Sequence, residues 1–279
     1  MDGGLPGSAS GGGRLVEPQM VTMAWKLHAV LESACVSAGD VSLPAYALLV
    51  GAFEKEQGLP LKVARARFDA LFGFDCLASV LEQRELTERV RNADNRREFA
   101  LCATRRGVAH VERVDGALAL GIIGYAHDLT ETTFEQLVGR MSSLASQADG
   151  VSGTAALFPS MLLRALCAYH EIAVRESLLL GMSSLQAALL CAVDAEEGVL
   201  QGAARWPVAE SILEQQFDEL RGKGLVDAEG AALSEEGIAR ADAFCQGVRA
   251  RLGGMLDARS EAFVDELCDL CDFAIYALM

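Results

Sequence analysis

The residues best suited to chemistry in this 279-residue chain crowd into one stretch. Seven arginines, at 84, 89, 91, 96, 97, 105 and 106, are interspersed with Glu82, Glu85, Glu88, Asp94 and Glu98. By charge alone this composition describes a solvated surface. Residue order says more. Thr87–Arg91 and Glu98–Ala103 read as short strands around the polar tip Asn92-Ala93-Asp94-Asn95, a hairpin signal. Guanidinium is planar, always charged and rich in donors, so Arg89, Arg91, Arg96 and Arg97 on such a hairpin can grip phosphates or enter a minor groove. Asp94, two residues before Arg96, can hold that guanidinium in place. Lys62 and Arg65, on a preceding helical run, are further candidate DNA contacts.

Other constellations carry less. Cys268-x-x-Cys271 has zinc-like spacing, but no second pair or nearby His completes four ligands, so core thiols are expected and no metal. The histidines at 28, 110, 127 and 170 show no ligand spacing. There is no nucleophile elbow, phosphate loop or dinucleotide fingerprint, so neither an enzyme nor a cofactor is expected. Cys35, at the end of the first helix, has no basic neighbour in sequence and reads as buried filler rather than a redox sensor. Trp25, His28 and Tyr46 are candidate pocket residues for a small apolar or aromatic effector, with ordinary core roles as the competing reading.

The elements that must position these residues are mostly helical. Apolar residues make up 51% of the chain and charged residues 23%, ample for a buried core. A Gly/Ser-rich flexible tail is expected over 1–17. A helix follows from Pro18 to Ser37, with Val21, Trp25, Leu27, His28, Leu31 and Cys35 at three- and four-residue spacings. Ser42 can cap a helix over Leu43–Gln57, with Pro44 in its first turn. Two short helices are expected at about 60–68 and 70–84, then the hairpin. Thr104-Arg-Arg-Gly107 opens a long helix to about Leu120, and another helix spans Leu129–Gln147.

A similar order recurs. Helices are expected at 154–180, Ser183–Val193, 196–204 and Pro207–Gly222, then a polar turn, Asp227–Gly230. Leu233-Ser-Glu-Glu-Gly237 opens another long helix, and a last one follows Leu256. Two divergent copies of one unit explain this order, with 18–150 as the first and 151–279 as the second.

The stretch from Leu81-Glu-Gln-Arg-Glu-Leu through Asp94-Asn-Arg96 to Leu101-Cys-Ala-Thr104-Arg-Arg-Gly107 resembles the MarR family of winged helix-turn-helix regulators. It is similar to that family's recognition-helix end, Asp-x-Arg wing and Leu-Thr-x-x-Gly helix start, with Glu85 where Gly is usual and Ala103 where Leu is usual. Leu220-Arg-Gly-Lys-Gly224-Leu-Val226 and Leu233-Ser-Glu-Glu-Gly237 are similar in the second copy, whose wing is an acidic turn without arginine. The resemblance implies a mainly α fold of tandem winged helix-turn-helix units with small β-wings, packed as an intramolecular pseudo-dimer. It also implies a transcriptional regulator that binds double-stranded, pseudo-palindromic DNA, as a monomeric pseudo-dimer or a homodimer, and answers to a small effector.

Charge limits this reading. The net charge is −15, divided as −4 before Gly150 and −11 after it, which argues against indiscriminate nucleic-acid coating. The first recognition helix has no Arg or Lys before Arg84, and its counterpart carries Glu210, Glu214, Asp218 and Glu219. DNA contact is therefore expected mainly through the first wing. The alternative is a fused module that has lost DNA binding and serves protein interaction or ligand sensing. The longest uncharged stretch, Ser177–Val193, falls short of the roughly 20 apolar residues a membrane span needs. With no secretory signal and eight cysteines in apolar stretches, no membrane and a cytoplasmic location are expected.

Overall fold

The computed structural model describes residues 18–92, 95, 97–125, 160–194, 206–227 and 232–256. The expected tail, the helices at 129–147 and 196–204 and the helix after Leu256 lie outside the described residues. So do Asp94, Arg96, His127, Cys268 and Cys271. The described chain is mainly helical with one small three-stranded antiparallel sheet. Among the described residues, no single helix is long and apolar enough to cross a membrane.

The chain forms two compact units that interleave in sequence. The first is built from residues 28–168, and the second from residues up to Leu27 together with Tyr169 onward. The sequence reading places its boundary at 150/151 instead. The compact units differ because two helices each contribute to both. These are α1 (Pro18–Gly39) and α6 (Ser160–Leu179). Within the second unit, Thr22 donates to the Ala188 carbonyl at 3.3 Å and Trp25 Nε1 to Ser184 Oγ at 3.2 Å. Within the first, the Glu54 carboxylate accepts from the Ser160 backbone N–H at 2.8 Å and from its hydroxyl at 2.7 Å. Such pairings join residues far apart in sequence, where no local pattern can announce them.

In the first unit, α2 (Leu43–Phe53) starts as expected: the Ser42 side chain accepts from the Ala45 N–H, and Pro44 sits in the first turn. It stops at Phe53 rather than Gln57. Residues 45–50 are all buried, as befits a helix apolar on every side at the centre of a core. Strand β1 (Leu59–Pro60), unanticipated, precedes α3 (Leu61–Phe72). Gly73, at φ 68°, makes the left-handed turn into α4 (Phe74–Gln83). Strands β2 (Thr87–Arg91) and β3 (Phe99–Ala103) follow, and the sheet order is β1-β3-β2. Arg89 pairs with Leu101 and Arg91 with Phe99 across the hairpin. Helix α5 (Arg105–Tyr125) completes the unit. Phe68, Phe74, Leu81, Leu86, Leu101 and Val114 are buried with α2.

In the second unit, α7 (Ser184–Asp194) is buried along residues 185–193. Helix α8 (Glu210–Gly222) is followed by a single antiparallel bridge between Val226 and Leu233, and then by α9 (Glu235–Leu256). The expected turn at Asp227–Gly230 begins there, its residues 228–230 lying outside the described set. Leu213, Phe217, Leu220, Leu225, Phe244 and Val248 are buried.

One local device occurs in both units. After α4, Leu86 N–H bonds back to Leu81 O at 2.9 Å around Glu85, which holds φ 59°; after α8, Leu225 N–H bonds to Leu220 O at 2.9 Å around Gly224, φ 68°. These are Schellman-type helix ends. Further on, Thr104 Oγ1 and Ser234 Oγ each cap the next helix by accepting a glycine N–H at 3.0 Å, from Gly107 and Gly237. Their own N–H groups bond to Leu86 O at 3.0 Å and Leu225 O at 3.1 Å. A Cβ added to Gly107 would lie 2.0 Å from Leu86 O, and one added to Gly237 would lie 2.0 Å from Leu225 O. Only glycine lets the helix start pass that close to the preceding chain.

Candidate nucleic-acid interface

The α3–Gly73–α4 pair and the β2–β3 hairpin form one face of the first unit, and the sequence-predicted residues distribute over it unequally. Arg65, on α3, makes a two-pronged ion pair with Asp75 at the start of α4, at 2.9 and 2.6 Å. Its guanidinium also lies 5.0 Å from the Phe74 ring centre. Arg65 thus clasps α3 to α4, with two of its donors taken up by Asp75 at an exposed position. Arg89 is similarly engaged: Nε meets Glu82 at 2.5 Å, holding β2 to α4.

Of the remaining expected contacts, Lys62, Arg91 and Arg97, the ones among the described residues, stand outward. Lys62 is exposed at the first turn of α3. Arg91 is exposed on β2 and lies 5.4 Å over the Phe99 ring of β3, which keeps its side chain along the hairpin. Arg97 is exposed near the tip, its N–H bonded to Asn95 Oδ1 at 3.2 Å. Along α4, Asp75, Cys76 and Gln83 are exposed, so that helix presents no cation. On α8 the exposed set includes Glu210, Glu214, Asp218 and Glu219. A phosphate would be repelled there.

The expected effector residues divide between the two units. Trp25 belongs to the second, where its ring lies 5.6 Å from Trp206, and Lys26 Nζ sits 4.6 Å over Trp206. His28 and Tyr46 belong to the first unit and are buried. Tyr46 Oη donates to the buried Asp115 carboxylate, and burial followed by that negative charge pushes the phenol well above its ordinary range. The hydroxyl is thus committed to the core. Cys35 is fully buried, and burial with Glu32 and Asp115 nearby drives its thiol upward, the reverse of a reactive thiolate. The exposed thiol of α4 is Cys76.

Sequence reasoning counted Arg84 and Arg106 among the seven arginines but missed that they line a separate cavity with Arg113. A cavity of about 210 Å³ in the first unit is lined by Gly39, Arg84, Leu86, Arg106, Ala109, His110 and Arg113. Arg84 pairs with Asp40 at 2.8 Å and Arg106 with Glu85 at 2.9 Å, while Arg113 donates to His110 Nδ1 at 2.9 Å. Burial, then the charges of Arg113, Arg84 and Arg106, push the His110 imidazole down to about 4. Arg106, His110 and Arg113 recur at four and three residues along α5, the spacing that stacks side chains on one helix face. That spacing was the available signal.

No family model matches the chain, and no curated protein or solved structure matches it.

Proposed function

We propose that the protein is a MarR-like, DNA-binding transcriptional regulator built from two tandem winged helix-turn-helix units, with DNA contacted mainly by the wing of the first. The observation that carries this reading is the exposed hairpin with Arg91 and Arg97, set beside a two-helix pair turned at Gly73 and backed by a third strand. The repeated helix-end, cap and glycine device supports a duplication. From Leu86 to Thr104 the chain needs twice the residues it needs from Leu225 to Ser234, so the second hairpin is shorter, with one bridge, Val226 to Leu233, among the described residues. One wing per chain favours paired chains on a pseudo-palindromic duplex, with wings a helical turn or a multiple apart.

A second reading has its own support. Arg65 and Arg89 are held by Asp75 and Glu82, α4 presents no cation and α8 presents acids. A module with these faces serves protein interaction or ligand sensing. Fluorescence anisotropy against DNA from upstream of the protein's own gene, over a salt series, separates the two. Regulation predicts submicromolar binding that Arg96→Ala/Arg97→Ala weakens, with the log–log salt slope reduced by roughly 2. Absence of binding at low salt, or identical binding by the double variant, refutes the wing-contact reading.

A further inference from the structure

We propose that the cavity bounded by the end of α1 and the start of α5 is a binding site for a small oxyanion, bearing a carboxylate or phosphoryl group, held by Arg84, Arg106 and Arg113. This goes beyond the DNA-binding reading and does not depend on it.

Three guanidinium groups line one cavity of about 210 Å³. That is below the roughly 300 Å³ where drug-sized ligand sites begin, so the occupant is small. Arginine forks match the paired oxygens of carboxylates and phosphoryl groups. The carboxylates now paired to the cluster, Asp40 and Glu85, have side chains 82% and 77% exposed. Such exposed pairs contribute about 1 kcal/mol or less, so a ligand can displace them at little cost.

His110 lines the same cavity among these cations. It is only 5% exposed, and its Nε2 has no hydrogen-bond partner among the described residues. Because Arg113 donates to Nδ1, the ring proton belongs on Nε2, which packs against Gly39, where an added Cβ would lie 2.6 Å away. That nitrogen is closed off from the cavity, so an anion seated there acts on the imidazole through the charges of Arg84, Arg106 and Arg113 rather than by accepting its proton.

The corresponding positions of the second unit are paired within the protein. Counting from the shared leucine and glycine, Arg84 corresponds to Lys223, Arg106 to Glu236, His110 to Arg240 and Arg113 to Ala243. Arg240 donates to the Leu180 carbonyl at 2.8 Å and to Glu236 at 2.9 Å, while Lys223 Nζ bonds Gly181 O and Gln186 Oε1, both at 3.1 Å. There the cations are satisfied by the protein itself. In the first unit Glu236 is replaced by a third cation, Arg106, and the positive groups face a space.

The test titrates the full chain with inorganic phosphate and with benzoate, at ionic strength held constant with chloride. Calorimetry reads the affinity, and ring resonances of His110 report the site. Saturable binding of either probe is expected, with the His110 titration moving upward as the anion offsets the arginine charges. Phosphate alone identifies a phosphoryl ligand and benzoate alone a carboxylate. Arg106→Gln, at an exposed position, is expected to weaken binding about tenfold. Ala109→Glu places a carboxylate in the cavity and abolishes binding, and Glu85→Gln removes a competitor and strengthens it. The proposal is overturned if neither probe saturates, or if binding persists unchanged in both Arg106→Gln and Ala109→Glu proteins that retain the wild-type circular dichroism spectrum.

Discussion

Replacing Gly107 or Gly237 with alanine tests whether the two helix starts are the same device. In an ordinary helix the change would stabilise, by roughly 0.5–1 kcal/mol, because alanine loses less backbone entropy than glycine. Here the new Cβ meets a backbone carbonyl oxygen at 2.0 Å, against the 3.0 Å that real Cβ atoms essentially never breach. One backbone segment must retreat by about 1 Å, and the segments at risk also form the Thr104–Leu86 and Ser234–Leu225 hydrogen bonds. Overpacking of this kind costs about 1–3 kcal/mol, and loss of a hydrogen bond adds about 1 kcal/mol. Each variant is therefore expected to lose about 1–3 kcal/mol net, lowering the urea midpoint by roughly 0.5–1.5 M. Gly116→Ala supplies the opposite sign: it lies on α5, exposed, with nothing within 4 Å of an added Cβ, and should gain about 0.5–1 kcal/mol. Both tryptophans, Trp25 and Trp206, lie in the second unit, so their fluorescence follows the unit containing Gly237. Circular dichroism follows both. A neutral or stabilising Gly107→Ala or Gly237→Ala would refute the close-approach argument, and opposite signs at the two sites would refute the equivalence.

Two further outcomes follow from buried polar groups. His110 and His170 are each pushed down to about 4, chiefly by burial. Unfolded imidazoles bind protons near roughly 6.5, so between those values the unfolded state holds more protons. The stability from keeping them neutral is complete above about 6.5 and is lost as pH falls toward 4, on the order of 2–3 kcal/mol for each histidine. Urea midpoints at pH 7 and 5 should differ by less in a His110→Gln/His170→Gln protein than in wild type, and an equal difference removes histidine from the account. Tyr46→Phe removes the donor facing the buried Asp115 carboxylate while preserving ring volume. A loss of about 1–3 kcal/mol is expected in calorimetry; a neutral substitution contradicts it.

Local chemistry is what the sequence made legible. Ser42, Thr104, Ser234, Gly107 and Gly237 act within a few residues of their partners or recur in a recognisable order, and strand β2 lies where the polar tip at 92–95 placed it. Strand β1 was invisible because two residues, one of them proline, cannot show a period. The roles of Arg65 and Arg89 were missed for another reason. An arginine count says nothing about which carboxylate the fold brings opposite, and Asp75 and Glu82 lie ten and seven residues away. The cavity arginines come from the turn after α4 and from α5, and only the closure of the Leu86–Thr104 junction brings them together.

The exchange of helix segments between units sets a timetable for synthesis. Glu54 and its partner Ser160 are separated by 106 residues. At about 5–20 residues per second, roughly 5–20 s pass between translation of the two. Throughout that interval the first unit lacks the segment that covers Glu54, and Thr22 and Trp25, made earlier still, wait for Ala188 and Ser184. Neither half of the nascent chain can finish folding before the other emerges, so apolar surface stays open on the ribosome long after most of it has been made. Folding of such a chain depends on elongation rate and on chaperones that shelter the waiting segments.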